Sequence, residues 1–240
     1  MVFEASIILC TVNEIGNLPV TVRKIEQNAK FDYQLVFVDD GSTDGTREYI
    51  LDYSQSHQNA KYLFYPNKRS TLIAQYSGIK NSDGKFIIII DADQQHPPEK
   101  INEIYDDLSA GYDIVVASRY VEGGGTAKRN PLRGLISRIA EFLARVLLRN
   151  ARKTTDPLSG FFGLRRDLNL ELDERWRGYK LLLFILSSNA HAKVKDIPYK
   201  FSERSSGESK VVSGFEFVRL YLTEILLAKR VEIRYNRMRI

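Results

Sequence analysis

The sequence predicts an α/β fold, a Rossmann-like and mainly parallel sheet with helices on both faces. Short apolar runs rich in β-branched residues recur through the first half: ASIILCT, QLVFVDD, KYLFY, KFIIIID and DIVVAS. Segments of helical spacing lie between them. The runs are continuous rather than alternating, which calls for burial on both faces, as in a parallel sheet covered by crossover helices.

The elements follow in order. MVFEASIILC places an acid before its apolar run and lacks a basic leader and a small-residue cleavage site, so it reads as a first strand. Leu18, Val22 and Ile25 then line one helical face, with Asn17 as a candidate N-cap. VFVDDGSTDGT ends the second strand in a tight acidic turn. IIIIDADQQ ends the fourth in two aspartates and a glutamine, and Ile101, Ile104 and Leu108 line the helix beyond. VVASRY delivers Arg119 after the fifth strand. Residues 120–131, YVEGGGTAKRNP, read as a mobile basic loop. It enters LRGLISRIAEFLARVLLRNARK, where Leu132, Leu135, Ile136, Ile139, Phe142, Leu143, Val146 and Leu147 recur at helical spacing among Arg133, Arg138, Arg145, Arg149 and Arg152. Such a helix fits either of two settings, a membrane interface or a core flank with a solvated face. GFEFVRLYLTEILLAKRVEIRYNRMR closes the chain with a similar pattern.

A length of 240 residues suits one domain, and 43% hydrophobic with 27% charged residues is ordinary globular usage. The single cysteine, Cys10, rules out an internal disulfide and a Cys-based zinc site, and suits a reducing, cytoplasmic setting. No run approaches the ~18 unbroken apolar residues of a spanning helix, so any membrane contact is expected to be peripheral. A net charge of +5 and a pI near 9.1 suit an anionic partner: nucleic acid, lipid headgroup or sugar nucleotide. The basic and aromatic residues match no nucleic-acid module, which argues against the first. A receiver-type signalling domain would be about half this length and would leave the second half without a purpose.

In such sheets the ligand crevice lies at the carboxyl ends of the strands. Asp39, Asp40, Asp91 and Asp93 fall there, with Glu14 after the first strand. Residues two apart at an extended strand end face the same way, so Asp91, Asp93 and Gln95 offer oxygen ligands for Mg²⁺ or Mn²⁺ on a diphosphate. The plain alternative is that these aspartates cap the following helix. Turn chemistry accounts for Gly41, Gly45 and one of the pair Asp39 and Asp40. So many carboxylates repel unless cations compensate, the candidates being a metal, Arg119, Arg204 and Lys210.

Taken together, TVNEIGNLP, VFVDDGSTDGT, IIIIDADQQHPPE, VVASRYVEGGG, DPLSGFFGLRR and FSERSSGESK, in this order, resemble the polyprenyl-phosphate sugar transferases, inverting glycosyltransferases of the GT-A fold that include the dolichyl-phosphate mannose synthases. The resemblance implies transfer of a hexose, foremost mannose from GDP-mannose, onto dolichyl or polyprenyl phosphate. A UDP-glucose or UDP-GlcNAc transferase acting on the same lipid or on a glycan hydroxyl is the rival. It implies one domain over 1–240, with a nucleotide-sugar and metal half at 1–119, an acceptor half at 120–212 and a C-terminal amphipathic, interfacial helix with a basic tail at 213–240. By the same resemblance Asp91, Asp93 and Gln95 bind Mg²⁺ or Mn²⁺. Cys10, Val12, Glu14, Val38, Asp40 and Ala92 line the nucleotide pocket. Arg119, Arg133, Arg204 and Lys210 hold phosphates, and Asp93, Arg119 and Arg204 serve catalysis. Relatives place proline and an aromatic where this chain has Cys10 and Val12, which leaves GDP or UDP open, and a glutamate where it has Phe184. Many also carry transmembrane helices; a chain without them would lie peripherally on the cytoplasmic face through interfacial helices, an integral-membrane partner subunit, or both.

Overall fold

The computed structural model describes residues 3–67, 69–127, 131–173, 176–203 and 215–237. The chain runs β1 (Ala5–Thr11), α1 (Leu18–Asn28), β2 (Tyr33–Asp40), α2 (Thr46–Ser56), β3 (Ala60–Tyr65), α3 (Thr71–Lys80), β4 (Phe86–Asp91), α4 (Ile101–Ser109), β5 (Ile114–Ser118) and β6 (Gly125–Thr126). It continues through α5 (Pro131–Leu147), β7 (Phe162–Arg165), α6 (Leu181–Ser188), β8 (Val194–Pro198), β9 (Lys200–Phe201) and α7 (Phe215–Arg237).

A seven-stranded sheet has the order β3-β2-β1-β4-β7-β5-β8. Every pairing is parallel except those of β7, which runs antiparallel to both β4 and β5. The isoleucine run explains itself here: Ile87 and Ile89 face one side, Ile88 and Ile90 the other, and all are buried. Strand period 2 divides the run between two cores. On one side it packs with α3, α5, α6 and α7, and on the other with α1, α2 and α4.

Local details depart from the sequence reading in three places. Asn17 stands at the N-cap of α1, but its side chain makes no capping bond; Nδ2 donates to Glu14 Oε2 at 2.8 Å. The segment expected as a loop at 120–131 contributes β6, which pairs with β9 in a small parallel ribbon. The core-flank setting for α5 holds for one face only, where Ala140 and Ala144 join the core. Ile136, Ile139, Phe142, Val146 and Leu147 are 41–66% exposed, while Ala140, Glu141 and Ala144 are buried. Small residues let this helix approach the body closely, and these five large apolar residues point away. On α7, Val218, Leu222, Leu226 and Ile233 are likewise exposed, with Tyr221, Glu224, Ile225 and Ala228 buried.

β7 fits under α4 because Gly163 has no side chain. A Cβ there would lie 2.3 Å from Ile104 Cγ2 and 2.9 Å from Leu108 Cδ1. Overpacking of this kind costs about 1–3 kcal/mol. Gly163→Val should therefore lower the thermal midpoint measurably, whereas Gly125→Ala, with nothing near its added carbon, should leave it close to wild type. Equal midpoints for the two variants would contradict this packing.

Candidate active site

The strand order reverses at β1, which has β2 on one side and β4 on the other. The helices that flank it go to opposite faces, α1 to one core and α3 to the other, which opens a crevice beyond the strand ends. Parallel register brings the candidate residues level: Cys10 pairs with Val38 and with Asp91, and Thr11 with Asp39.

The paired carboxylates after β2 have separate tasks. Asp39 is fully buried and organises the turn. Its Oδ1 accepts from Arg47 Nε at 2.7 Å and from the Ser42 amide at 3.0 Å, and its Oδ2 accepts from Thr11 Oγ1 at 3.1 Å and from the Ser42 hydroxyl. Asp40 Oδ2 accepts from the Arg69 amide at 2.9 Å, with Arg69 Nε 3.6 Å from Oδ1. The Arg69 guanidinium lies over the Tyr65 ring, 3.3 Å from its centroid, and donates to Ser77 Oγ at 3.1 Å. Val38 is buried in the strand and Val12 is half-buried at its neighbour's end. Burial, then the Asp91 and Asp40 carboxylates, hold the Cys10 thiol well above its usual pKa, so it is a neutral, uncharged wall. Glu14 braces the β1–α1 connection through Asn17, and its amide donates to Thr46 Oγ1 at 2.9 Å.

The strand geometry assumed for IIIIDADQQ ends at Asp91; residues 92–95 turn, with Gln94 at φ 64°. Thus Asp91 and Asp93 are not two positions of one extended strand. The turn is fastened to the body instead. Ala92 O accepts from Thr21 Oγ1 at 2.9 Å, Gln94 Nε2 donates to Asn17 Oδ1 at 3.3 Å, and the Gln95 amide donates to Asp93 Oδ1 at 3.1 Å. Gln95 Nε2 donates to Ser202 O at 3.1 Å, which leaves its Oε1 as the end that can meet a cation. The Asp91 side chain is 40% exposed. Among the described residues, no group of three or more His, Cys, Asp or Glu side chains gathers to hold a metal. Two carboxylates and an amide oxygen nevertheless suit a hard divalent ion that completes its shell with phosphate and water. Next to them His96 is buried between Phe161, Tyr199 and Phe201, and burial brings its pKa down to about 4, so the ring is neutral. Its Nδ1 accepts the Asp91 amide at 3.2 Å.

Arg119, at the end of β5, is committed to protein. Nε and Nη2 grip Asp156 at 2.7 and 2.8 Å, and Nη2 is 3.5 Å from Glu141 on α5. Asp156 raises its pKa despite the opposing effect of burial. Glu141 also accepts from the Tyr120 hydroxyl at 2.5 Å and from Ser137 Oγ at 3.2 Å. Only Nη1 of Arg119 is without a protein acceptor among the described residues. Arg133 lies in α5, but its side chain is outside the described residues, as are Arg204 and Lys210 altogether.

The cations that neutralise the second-strand acids are therefore Arg47 and Arg69, which the sequence reading did not name. Arg69 follows KYLFY at a strand end, the same signal that marked Arg119. Asp156 stood inside the quoted DPLSG, yet nothing in its spacing revealed an arginine partner.

Because Asp156 is fully buried and holds two arginine nitrogens, removing it strands a charge. Breaking one side of a buried pair costs about 3–5 kcal/mol. Asp156→Ala should show this loss in denaturant unfolding, with Asp156→Asn intermediate; an unchanged midpoint for Asp156→Ala would refute the assignment.

Residues 6–172 match the family model for glycosyl transferase family 2. The chain is 34% identical over 219 residues to a dolichol-phosphate mannosyltransferase from Pyrococcus furiosus, covering 90% of this chain and 62% of that protein. It is 29% identical to the Saccharomyces cerevisiae dolichol-phosphate mannosyltransferase, covering 88% and 82% of the two chains. This chain thus spans under two thirds of the archaeal relative and most of the yeast one. Among solved structures, glucosyl-3-phosphoglycerate synthase from Mycobacterium tuberculosis, in complex with Mn²⁺, UDP-glucose and phosphoglyceric acid, superposes with a TM-score of 0.69 at 17% identity, covering 95% and 80% of the two chains. That likeness bears on the fold, which is the GT-A arrangement of a mostly parallel sheet between helices. By the extent of the family match, this chain belongs to glycosyl transferase family 2.

Proposed function

We propose that the protein transfers a hexose, most directly mannose from GDP-mannose, to a dolichyl or polyprenyl monophosphate at a membrane surface, with inversion at the anomeric carbon. One observation carries this reading. Helix α5 turns an apolar face outward and, through Glu141 on its inner face, touches Arg119 at the crevice edge. An acceptor with its tail in lipid and its phosphate at the crevice suits that arrangement, and the named relatives act on dolichol phosphate by their descriptions.

The residues divide the work. Asp40 and the neutral surface of Cys10, Val12, Val38 and Ala92 would receive the nucleoside, with Glu14 bracing the turn beside them. Asp91, Asp93 and Gln95 would hold Mg²⁺ or Mn²⁺, which when bound neutralises the leaving diphosphate. A phosphate monoester has a second pKa near ~6 and is largely dianionic at neutral pH. It needs no strong base. The remaining difficulty is bringing two anions together, and positioned cations meet it. Arg119 Nη1 is one; Arg133, Arg204 and Lys210 are assigned the same task by their family resemblance.

No helix among the described residues is long and apolar enough to cross a membrane. The outward faces of α5 and α7 would instead seat the protein peripherally on the cytoplasmic leaflet. Arg138, Arg145, Arg149, Arg219 and Arg230 are exposed around the apolar ridges, and each basic residue near an anionic surface adds about 1 kcal/mol. An integral-membrane subunit could share that surface; nucleic acid is not a partner in this reading.

Incubating the protein with GDP-mannose, UDP-glucose or UDP-GlcNAc, a short-chain polyprenyl phosphate and Mn²⁺ should give lipid-linked hexose fastest from GDP-mannose. A preference for a glycan hydroxyl over the lipid phosphate would overturn the proposal. Asp93→Ala should lower metal-dependent turnover by at least the ~10–100-fold that loss of a group supporting a metal site costs; unchanged turnover would refute the site. Phe142→Glu and Leu226→Glu, both at exposed positions, should weaken flotation with anionic vesicles about tenfold or more, since burying a large apolar side chain is worth ~1.5–3 kcal/mol. Undiminished flotation of both would exclude this face.

A further inference from the structure

Lys180 has no part in the site as set out so far. It immediately precedes α6, and its backbone is held unusually well. The amides of Tyr179 and Lys180 both donate to Glu224 Oε1 on α7, at 2.5 and 2.8 Å. Glu224 is 1% exposed. A carboxylate that accepts the free amides at a helix start is well placed for their partial charge. Gly178 makes the approach possible, because a Cβ there would lie 2.1 Å from Glu224 Oε1. The base of the Lys180 side chain is thereby pinned from the outer helix.

Its other end reaches the crevice. Nζ donates to Leu158 O at 3.1 Å. Leu158 lies between Asp156, which grips Arg119, and Gly160, whose Cα is so near Asp91 that a Cβ would stand 3.2 Å from Oδ2. The ammonium is therefore fastened to the 156–160 loop, within electrostatic reach of Arg119, Asp156 and Asp91. Burial lowers its pKa, repulsion from Arg119 adds to that, and attraction to Glu224, Asp156 and Asp91 opposes it. An ammonium has three donors, and Leu158 O takes one; among the described residues no other acceptor meets it. Lys180 is half-buried rather than sealed. Two strongly polar N–H groups are left at a place where, on the proposed reading, phosphate oxygens arrive.

We propose that Lys180 is a phosphate-binding residue of this site, donating to a substrate phosphate oxygen, and that Glu224 is the residue that positions it. The assignment rests on the transferase reading for its substrates, but the chemistry it requires is only that of a phosphate oxygen, which the donor diphosphate and the acceptor monophosphate share. A lysine acts here as a point charge that can follow a phosphate as it moves, unlike the planar fork of Arg119. Glu224 also joins this cation to α7, the helix with an outward apolar ridge, just as Glu141 joins Arg119 to α5.

The test uses the full chain and separate ligands: inorganic pyrophosphate, GDP, guanosine and a short-chain prenyl phosphate, each titrated calorimetrically with Mn²⁺ present. Lys180→Met should weaken pyrophosphate and GDP together at least tenfold if the donor is held, or prenyl phosphate alone if the acceptor is held. Guanosine binding should not change, and Lys180→Arg should recover part of the loss. Glu224→Gln, which keeps an acceptor oxygen, should bind nearly as wild type, whereas Glu224→Leu should follow Lys180→Met. If Lys180→Met lowers only the thermal midpoint and leaves all the phosphate affinities within twofold, Lys180 merely fastens the 156–160 loop and the proposal is wrong. A wild-type protein that binds none of the phosphate ligands also overturns it. A wild type that binds pyrophosphate through Lys180 yet turns over no sugar nucleotide defeats the transferase reading alone.

Discussion

The constraint on which this site depends is the crowding of carboxylates at one sheet edge. Asp39, Asp40 and Asp156 are each almost wholly buried, and an ionised carboxylate away from water is costly unless paired and hydrogen-bonded. The fold answers with a guanidinium for each: Arg47 for Asp39, Arg69 for Asp40 and Arg119 for Asp156. These pairs have consequences beyond charge balance. Arg47 also donates to Tyr65 O at 2.5 Å, fixing the end of β3. Arg69 is flattened on Tyr65, and Arg119 links the end of β5 to α5. The walls of the crevice are thus set by the same bonds that make its acids tolerable.

A second theme is the inverted use of two helices. An ordinary surface helix buries its large apolar residues and exposes its charges. Helices α5 and α7 expose isoleucine, phenylalanine and leucine, and bury glutamates: Glu141, Glu224 and Glu232. Each buried glutamate has a named task. Glu141 accepts from Tyr120 and Ser137 beside Arg119, Glu224 caps α6, and Glu232 Oε1 accepts the Asn150 amide at 2.9 Å. The helices are consequently anchored by directional bonds as well as by core contacts of Ala140 and Ala144 on α5 and Tyr221, Ile225 and Val231 on α7. Phe184 is fully buried and packs against Trp176 with ring centroids 5.4 Å apart. In this chain that position belongs to the core.

Much of this was legible from residue order. Continuous β-branched runs read as buried strands, so the parallel sheet and the placement of Asp40 and Asp91 at its carboxyl edge followed from composition and period, although KYLFY forms a part-exposed edge strand. The antiparallel β7 was not legible: FGLR is short, and its place between β4 and β5 depends on Gly163 fitting beneath α4, a contact between residues far apart in the chain. Direction on α5 was hidden for a related reason. The spacing of Ile136, Ile139 and Phe142 shows that they share a face but not which way it turns, and that is decided by Ala140 and Ala144 allowing close approach on the other side. The turn after Asp91 escaped because Gln94 adopts a left-handed conformation that glutamine rarely advertises. Partner choice was least visible of all, since Arg47, Arg69 and Lys180 find their acceptors only once the sheet edge exists.

The central claim is that a hexose leaves a nucleotide diphosphate and is joined to a lipid phosphate oxygen with inverted configuration. The most direct measurement is nuclear magnetic resonance of the lipid-soluble product made from an α-linked GDP-mannose donor, reading the anomeric coupling and the phosphorus bonded to it. The account predicts a single β-linked mannosyl phosphate on the prenyl chain. An α-linked product, or a sugar joined to carbon through a hydroxyl oxygen with no phosphorus coupling, would contradict it.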